Sequence, residues 1–309
     1  MRVFVTGGSG CVGHYLVDWL VRETDWEVFL LLRHPDKLQV PLRPGVQILP
    51  GGLETIGQYR DVLGTMTAIV SAAACWGGPE TFAINRDRTL ELFGYANPAV
   101  CQRAIYFSTA SILDRDNTLL QPAGEIGDDY IRSKYACLEP LEQSPIGDRL
   151  ITLFPTLVFG GKGAFPRSHL TGGLREVTRY IGLIRFFKAE GSFHFVHAAD
   201  IAQVVGYLLR HPTAPFSYPA RVPLGMPAIT VNQAIREVAA YLGKRIYGQL
   251  DLTPAAIAFF IRVFNLQMAP WDFFCIERRH FTYNVLNFAD WGLVPHYPTA
   301  ASLLQDAGL

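Results

Sequence analysis

Short apolar runs alternate with amphipathic stretches through the first half of the chain. Val3 to Val5, Glu27 to Leu32, Val46 to Leu49, Ala68 to Ser71, Ala104 to Phe107 and Leu150 to Phe154 read as strands. Val12 to Arg22, Glu80 to Tyr95 and Asp129 to Leu141 carry helical spacing between them. Apolar strands without polar alternation are buried on both faces, and repeated strand–helix units build an α/β fold with a doubly wound parallel sheet. The pattern loosens after residue 160. Gly160, Gly161, Gly163, Pro166, Gly172 and Gly173 crowd one stretch, which predicts a loop, either over a site or plain surface. Ser192 to His197 then reads as a strand, with helices at Ala199 to Arg210 and Thr230 to Leu242. Residues 1–160 are the expected main sheet domain. Residues 161–309 are the expected smaller, mainly α-rich lobe, interleaved with late sheet elements at about 190–225.

The first strand runs directly into Thr6-Gly7-Gly8-Ser9-Gly10-Cys11-Val12-Gly13, and a helix follows. Glycines at 7, 10 and 13 permit a tight turn, close backbone approach to a pyrophosphate and close helix packing. The helix N-terminus offers free N–H groups and a positive dipole end to the anion. Gly7, Ser9, Gly10, Cys11, Val12 and Gly13 are therefore the expected phosphate contacts. At the end of the second strand, where an acidic residue would accept from a ribose, stands Arg33. A guanidinium forms paired hydrogen bonds to phosphate. This favours NADP(H) over NAD(H), with Lys37 as a further charge.

Tyr130-Ile131-Arg132-Ser133-Lys134 places a phenol and an ammonium at i and i+4, on one helix face. A nearby cation favours phenolate and lowers a tyrosine pKa, which suits proton transfer at a carbonyl or alcohol oxygen.

The Thr-Gly-x-x-Gly-x-x-Gly turn and the Tyr-x-x-x-Lys pair together resemble the extended branch of the short-chain dehydrogenase/reductase superfamily, which includes NAD-dependent epimerases and dehydratases. The resemblance runs from residue 2 to about 211 and implies a Rossmann nucleotide-binding domain. It implies that Thr109, in Ser108-Thr109-Ala110-Ser111, polarises the substrate oxygen with Ser108 beside the nicotinamide. Tyr130 would transfer the proton, and Lys134 would bind the nicotinamide ribose. Ala72 and Ala73 match the small-residue segment after the fourth strand. Leu53, in Gly51-Gly52-Leu53, matches the adenine-edge turn without the usual carboxylate. Pro155 and Val158 lie in a stretch similar to Arg-Pro-x-x-Val-Tyr-Gly, with Phe154 replacing the arginine. Asn85, Thr109 and Ser168 are the expected substrate contacts. His197 and Asp200, in a Val-His-x-x-Asp-like stretch, read as structural.

Charge narrows the partners. Among 309 residues, 27 basic and 27 acidic side chains cancel, and only 17% are charged. This argues against a nucleic-acid binder that neutralises phosphates. Half of the residues are apolar and 12% aromatic, which excludes intrinsic disorder. The five cysteines form no CxxC and no zinc-spaced cluster, so no metal is expected. An odd cysteine count and a start without a leader pattern point to a cytoplasmic protein.

Residues 255 to 268 carry a single charge, Arg262, between Pro254 and Pro270. The segment is too short for a transmembrane helix. Core packing, an apolar substrate entrance or membrane-surface contact through about 252–280, and a homodimer interface all fit it. The aromatic C-terminal region resembles hydroxysteroid-dehydrogenase-like members, which implies a lipid, isoprenoid or steroid-like alcohol or ketone. Ala110-Ser111 replaces the Asp-Glu of the dehydratases, so sugar dehydration is not expected. A nucleotide-sugar epimerase or reductase is the first alternative, with Arg175, Arg179 and Arg185 as candidate diphosphate contacts. A cofactor-binding scaffold with little turnover is the second. No Gly-x-Ser-x-Gly elbow is present for a hydrolase.

Overall fold

The structure, a computed structural model, describes residues 1–212, 217–253 and 267–309. Six strands fall where the apolar runs place them: β1 (Arg2–Thr6), β2 (Glu27–Leu32), β3 (Val46–Pro50), β4 (Ala68–Ser71), β5 (Arg103–Phe107) and β6 (Leu150–Pro155). Five more follow: β7 (Leu157–Phe159), β8 (Phe187–Lys188), β9 (Ser192–Phe193), β10 (Phe195–His197) and β11 (Ala220–Leu224). Short strands β12 (Ile229–Thr230), β13 (Leu250–Asp251) and β14 (His280–Phe281) complete the set. The main sheet has seven strands in the order β3-β2-β1-β4-β5-β6-β11, every pair parallel. The chain switches direction across the sheet between β1 and β4. In such sheets ligands bind in the crevice at the carboxyl ends of the strands bordering that switch.

Helices α1 (Cys11–Glu23), α2 (Arg60–Leu63), α3 (Thr89–Gly94), α4 (Gln121–Ile126) and α5 (Asp129–Glu142) connect the first six strands. Then come α6 (His169–Ile184), α7 (Ala198–Arg210), α8 (Val231–Tyr241), α9 (Pro270–Arg278) and α10 (Ala300–Asp306). One core joins Val3, Val5, Leu16, Val17 and Leu20 to Val204, Val205 and Leu208, sealing α1 and α7 onto the sheet. A second, on the other face, joins Phe4, Ile69 and Tyr106 to Leu92, Cys137 and Leu141. Strand side chains alternate between faces, so the continuous apolar runs supply both cores at once.

Three elements depart from the sequence expectation. β11 reads poorly as a strand because it contains Arg221 and Pro223. Pro is tolerated at a sheet edge, which is where β11 lies, and Arg221 pairs with both carboxylate oxygens of Glu142 at 2.7 and 2.8 Å. The stretch Ser192 to His197 divides into β9 and β10, which join different small sheets. The glycine-crowded stretch is not all loop. Ser168 caps α6 by accepting the Thr171 N–H at 3.1 Å, and Gly172 and Gly173 lie inside that helix.

The C-terminal end is tied to the main sheet domain. His197 caps α7 through Nδ1, and its Nε2 pairs with Asp306 at 3.0 Å. Asp200 accepts the His296 N–H at 2.6 Å. Residues 254–266, which hold most of the apolar segment, lie outside the described residues. Beyond them, Trp271, Phe274, Phe281, Tyr283 and Val285 pack with Ile131 and Phe154, next to the face of α5 that carries Tyr130. Among the described residues no helix is long and apolar enough to cross a membrane.

Candidate active site

The turn after β1 is built by backbone constraint. Gly7 has φ +78°, and a Cβ there would sit 2.6 Å from the backbone of Ala72 and Ala73. The exit of β4 therefore crosses directly over the turn, as the small residues at 72 and 73 anticipate. A Cβ on Gly13 would collide with the Gly7 carbonyl. Thr6 ties the two segments: its hydroxyl accepts the Ala73 N–H at 3.2 Å and lies 3.3 Å from the Ser71 hydroxyl. Gly10 is exposed at the N-cap of α1, and no side chain caps that helix. Its first N–H groups, including those of Cys11 and Val12, therefore lack helical acceptors. Ser9 borders the same opening.

His14 went unremarked in the sequence and does much to shape this end. It is fully buried. Its Nδ1 lies 2.9 Å from the Gly10 carbonyl, and its Nε2 lies 3.2 Å from both the Gln39 N–H and the Lys37 carbonyl. One imidazole thus fixes the phosphate turn against the segment that follows β2. Arg33 is exposed at the end of β2, and no described residue pairs with its guanidinium. Leu53 is buried in the core. The next residue, Glu54, folds its carboxylate back against Gly52, where a Cβ would lie within 2.5 Å of both oxygens.

At the ends of β5 and α5 the proposed chemical groups converge. Thr109 Oγ1 accepts the Ser111 N–H at 3.3 Å, donates to Ser111 Oγ at 3.2 Å, and lies close enough to the Tyr130 phenol to influence it. Asp128 starts α5 by accepting the Ile131 N–H at 2.8 Å. This cap places Tyr130 in the first turn and Lys134 one turn later. Burial, then the Asp128 carboxylate, holds the Tyr130 pKa above the ordinary tyrosine value, and the Thr109 hydroxyl offsets part of this. Lys134 is fully buried. Its Nζ donates to the Phe107 carbonyl at 2.8 Å and lies 4.7 Å from the Tyr106 ring centroid and 5.9 Å from that of Tyr130. Burial pulls its pKa down to about 8. The sequence expectation that Lys134 lowers the phenol pKa is not met in the protein alone. Its ammonium is directed to a carbonyl, and desolvation dominates both groups.

Asn85 supports the site from beneath. It sits in a π-helical turn, Ala83–Arg88, and has no exposed surface. Its carbonyl accepts the Cys75 N–H at 2.8 Å, and its amide donates to the Cys75 carbonyl at 2.7 Å and to Ser133 Oγ at 3.0 Å. Ser133 in turn donates to the Tyr130 carbonyl. Asn85 therefore holds the loop after β4 against α5 and does not itself line the site, contrary to expectation. Ser168 is likewise engaged, as the α6 cap. Pro155 closes β6, and Val158 pairs in register with Val196 of β10. The Ser108 hydroxyl is buried and has no hydrogen-bond partner among the described residues.

The turn suits a dinucleotide. Gly7 and Gly13 leave a cradle that side chains would fill, α1 presents uncapped donors, and the orphan Ser108 hydroxyl awaits an acceptor or donor beside Thr109. Comparisons with known proteins agree. A family model described as NAD(P)H-binding matches residues 7–148. No curated protein matches the chain. Solved structures share the fold along almost its whole length. The structure of gox2253 is 17% identical with a TM-score of 0.71, over 99% of this chain and 96% of that one. The Bordetella bronchiseptica enzyme WbmG in complex with NAD is 16% identical, with a TM-score of 0.65, over 100% and 93%. A UDP-N-acetylglucosamine 4-epimerase from Methanobrevibacter ruminantium M1 is 17% identical, also at 0.65, over 99% and 96%. The central sheet is therefore a Rossmann sheet, as the sequence implies.

Proposed function

We propose that this chain is an NADP(H)-dependent oxidoreductase that moves a hydride to or from a carbonyl or carbinol carbon of a mainly apolar small molecule. The observation that carries this reading is the convergence of the Thr109 hydroxyl and the Tyr130 phenol beside a fully buried Lys134. The pair lies at the carboxyl edge of the sheet that bears the dinucleotide turn. A bound nicotinamide nucleotide supplies the hydride chemistry. The N–H groups of residues 9–12 would hold its pyrophosphate, and Arg33 the 2′-phosphate that separates NADP from NAD. Lys134 would take a ribose hydroxyl.

The remaining steps belong to side chains of the chain. Thr109 holds the substrate oxygen and polarises the carbon it is attached to. Tyr130 gives up its phenolic proton in reduction and receives it in oxidation. The raised phenol pKa keeps Tyr130 protonated at neutral pH, which suits it as a proton donor in reduction. Fixing both hydroxyls in advance supplies orientation, the main contribution a protein can make to such a step.

The apolar assignment rests on the aromatic surroundings. Trp271, Phe274, Phe281 and Tyr283 share one apolar cluster with Tyr130, Ile131 and Phe154. Two of the three candidate diphosphate contacts are engaged elsewhere: Arg179 with Glu176 at 3.8 Å, and Arg185 with the Gly182 and Arg245 carbonyls. A nucleotide-sugar substrate is the second reading. It is favoured by the solved neighbours, among them the UDP-N-acetylglucosamine 4-epimerase, and by Arg175 on α6, whose guanidinium pairs with no described residue. A screen of NADPH oxidation and NADP reduction against apolar ketones, apolar alcohols and UDP-sugars separates the two. Turnover only of UDP-sugars would overturn the apolar assignment. Tight NADPH binding with no turnover on any class would favour a scaffold.

A further inference from the structure

Charge and apolar surface are unevenly spread over this chain. Residues 162–188 hold six Lys and Arg against one Glu, and residues 241–250 hold two more and no acid, although the whole chain is neutral. Of sixteen exposed large apolar side chains among the described residues, eight fall in 170–186 and 241–250. The two segments form one surface. The Leu250 N–H donates to the Phe186 carbonyl at 2.7 Å, the Gln249 amide donates to the Arg185 and Phe187 carbonyls at 3.2 Å, and β8 pairs with β13. α6 packs Leu174, Ile181 and Ile184 against Val238 and Ala239 of α8. A second apolar line on the same helix, Leu170, Gly173, Val177 and Tyr180, recurs at helical spacing and stays exposed, as does Leu183 at 61%. Past the end of α6, Tyr247 and Leu250 are exposed at 79% and 69%. Cations stand over the exposed rings: Arg179 lies 5.2 Å from the Tyr180 centroid and Arg185 lies 4.8 Å from that of Phe186. The acids beside them, Glu176 and Asp251, pair with Arg179 at 3.8 Å and Lys188 at 3.6 Å.

We propose that this face, α6 with β8 and β13, docks on the surface of a membrane that carries anionic lipid. At a bilayer interface apolar side chains reach hydrocarbon while the cations beside them meet phosphate headgroups. This surface offers both on one side. Its rings and guanidinium groups suit the headgroup depth, where aromatic side chains collect and long cationic ones extend outward. A second copy of the chain is a poorer occupant, because a self-complementary contact would set the basic face against itself. A nucleic acid would answer the cations but leave Val177, Leu183 and Leu250 in water. Docking of this kind needs no helix that crosses the bilayer. The orientation bears on the candidate site. His169, the first residue of α6, meets the edge of Trp76 at 6.2 Å, and Trp76 lies on the Tyr130 ring with centroids 4.3 Å apart. Docking α6 therefore brings the side of the site bordered by Trp76 to the membrane. On the oxidoreductase reading, an apolar substrate would pass from bilayer to site without crossing water; the docking surface itself stands without that reading.

The test is co-sedimentation of the full chain with sucrose-loaded vesicles. One set is pure phosphatidylcholine, and the other includes about 30% phosphatidylglycerol as the anionic lipid. Binding is expected to the anionic set, to be at least ten-fold weaker to the neutral one, and to fall between about 0.1 M and about 0.5 M salt. Arg175→Gln, Arg179→Gln and Lys244→Gln together are expected to weaken it about 100-fold, from about five-fold per cation. Leu183→Ser with Tyr247→Ser is expected to weaken it about ten-fold or more at unchanged charge. All five positions are exposed, and urea midpoints check that both variants fold as the wild type does. No binding to the anionic vesicles would overturn the proposal. So would binding that both variants leave unchanged, which places the contact elsewhere on the chain. Loss in the charge variant alone, matched by an equal loss of heparin binding, would assign a polyanion instead. A wild-type dimer that the Leu183 and Tyr247 changes convert to monomer, with no vesicle binding, would assign the face to a second copy. NADPH oxidation in solution tests the oxidoreductase reading separately, so the two can fail independently.

Discussion

Lys134 gives the sharpest test of the buried site, because its burial has a measurable consequence for stability. An unfolded chain holds a lysine proton up to about pH 10.4. In the folded protein burial lowers that value to about 8. Between those limits the unfolded state binds a proton that the folded state has released, so stability rises with pH. Below about pH 8 both states are protonated and the full cost of the buried ammonium is felt. Integrating from pH 7 to pH 10 gives a gain of about 2 to 3 kcal/mol from this one group. The perturbation is Lys134→Met, which keeps the stem and removes the titration. Its absolute stability also reflects the lost hydrogen bond to the Phe107 carbonyl, but that loss does not vary with pH. The assay is urea unfolding of both proteins at pH 7, 8, 9 and 10. The stability difference, wild type minus variant, is expected to grow by about 2 to 3 kcal/mol across the series. A difference that stays flat would refute the buried, strained ammonium, and one that shrinks would reverse its sign.

Arg33→Gln should weaken NADPH binding roughly 10- to 100-fold, the value of a charge-assisted pair at about 1.5–3 kcal/mol, while leaving NADH binding nearly unchanged. Titration calorimetry with both nucleotides checks this, and equal losses would sink the assignment of Arg33. Gly172→Ala should stabilise the chain by up to about 1 kcal/mol, because the position is helical and a Cβ there meets nothing within 4 Å. A lower urea midpoint in that variant would contradict the helical placement.

What the sequence made legible follows from where geometry dictates residue identity. The turn at Gly7 and Gly13 admits no side chain, so its glycines are readable without a structure. The unbroken apolar runs of β1, β2 and β4 announce strands buried on both faces. Tyr130 and Lys134 share a helix face, and their four-residue spacing is local information. The pieces that were not legible depend on partners distant in the chain. β11 is a strand because an edge accepts Pro223 and because Glu142 answers Arg221. His14 looks like an ordinary helix residue until Gln39 and Gly10 are seen beside it. Asn85 reads as a substrate contact in the sequence, but its three hydrogen bonds go to Cys75 and Ser133, two residues from separate elements. The stack of Trp76 on Tyr130 spans 54 positions, and no periodicity encodes it. Gly172 and Gly173 misled in the other direction, because composition alone reads paired glycines as loop while Ser168 caps them into a helix.

The central claim is that the Tyr130 phenol moves the proton while the nucleotide is held by other groups. The most direct measurement is the turnover number of Tyr130→Phe on any carbonyl that drives NADPH oxidation by the wild type, paired with its NADPH dissociation constant. Loss of a positioned general acid costs about 10²- to 10⁴-fold. The variant is therefore expected to lose at least about a hundred-fold in turnover while binding NADPH as the wild type does. Turnover retained within a few fold, with the nucleotide still bound, would contradict the account.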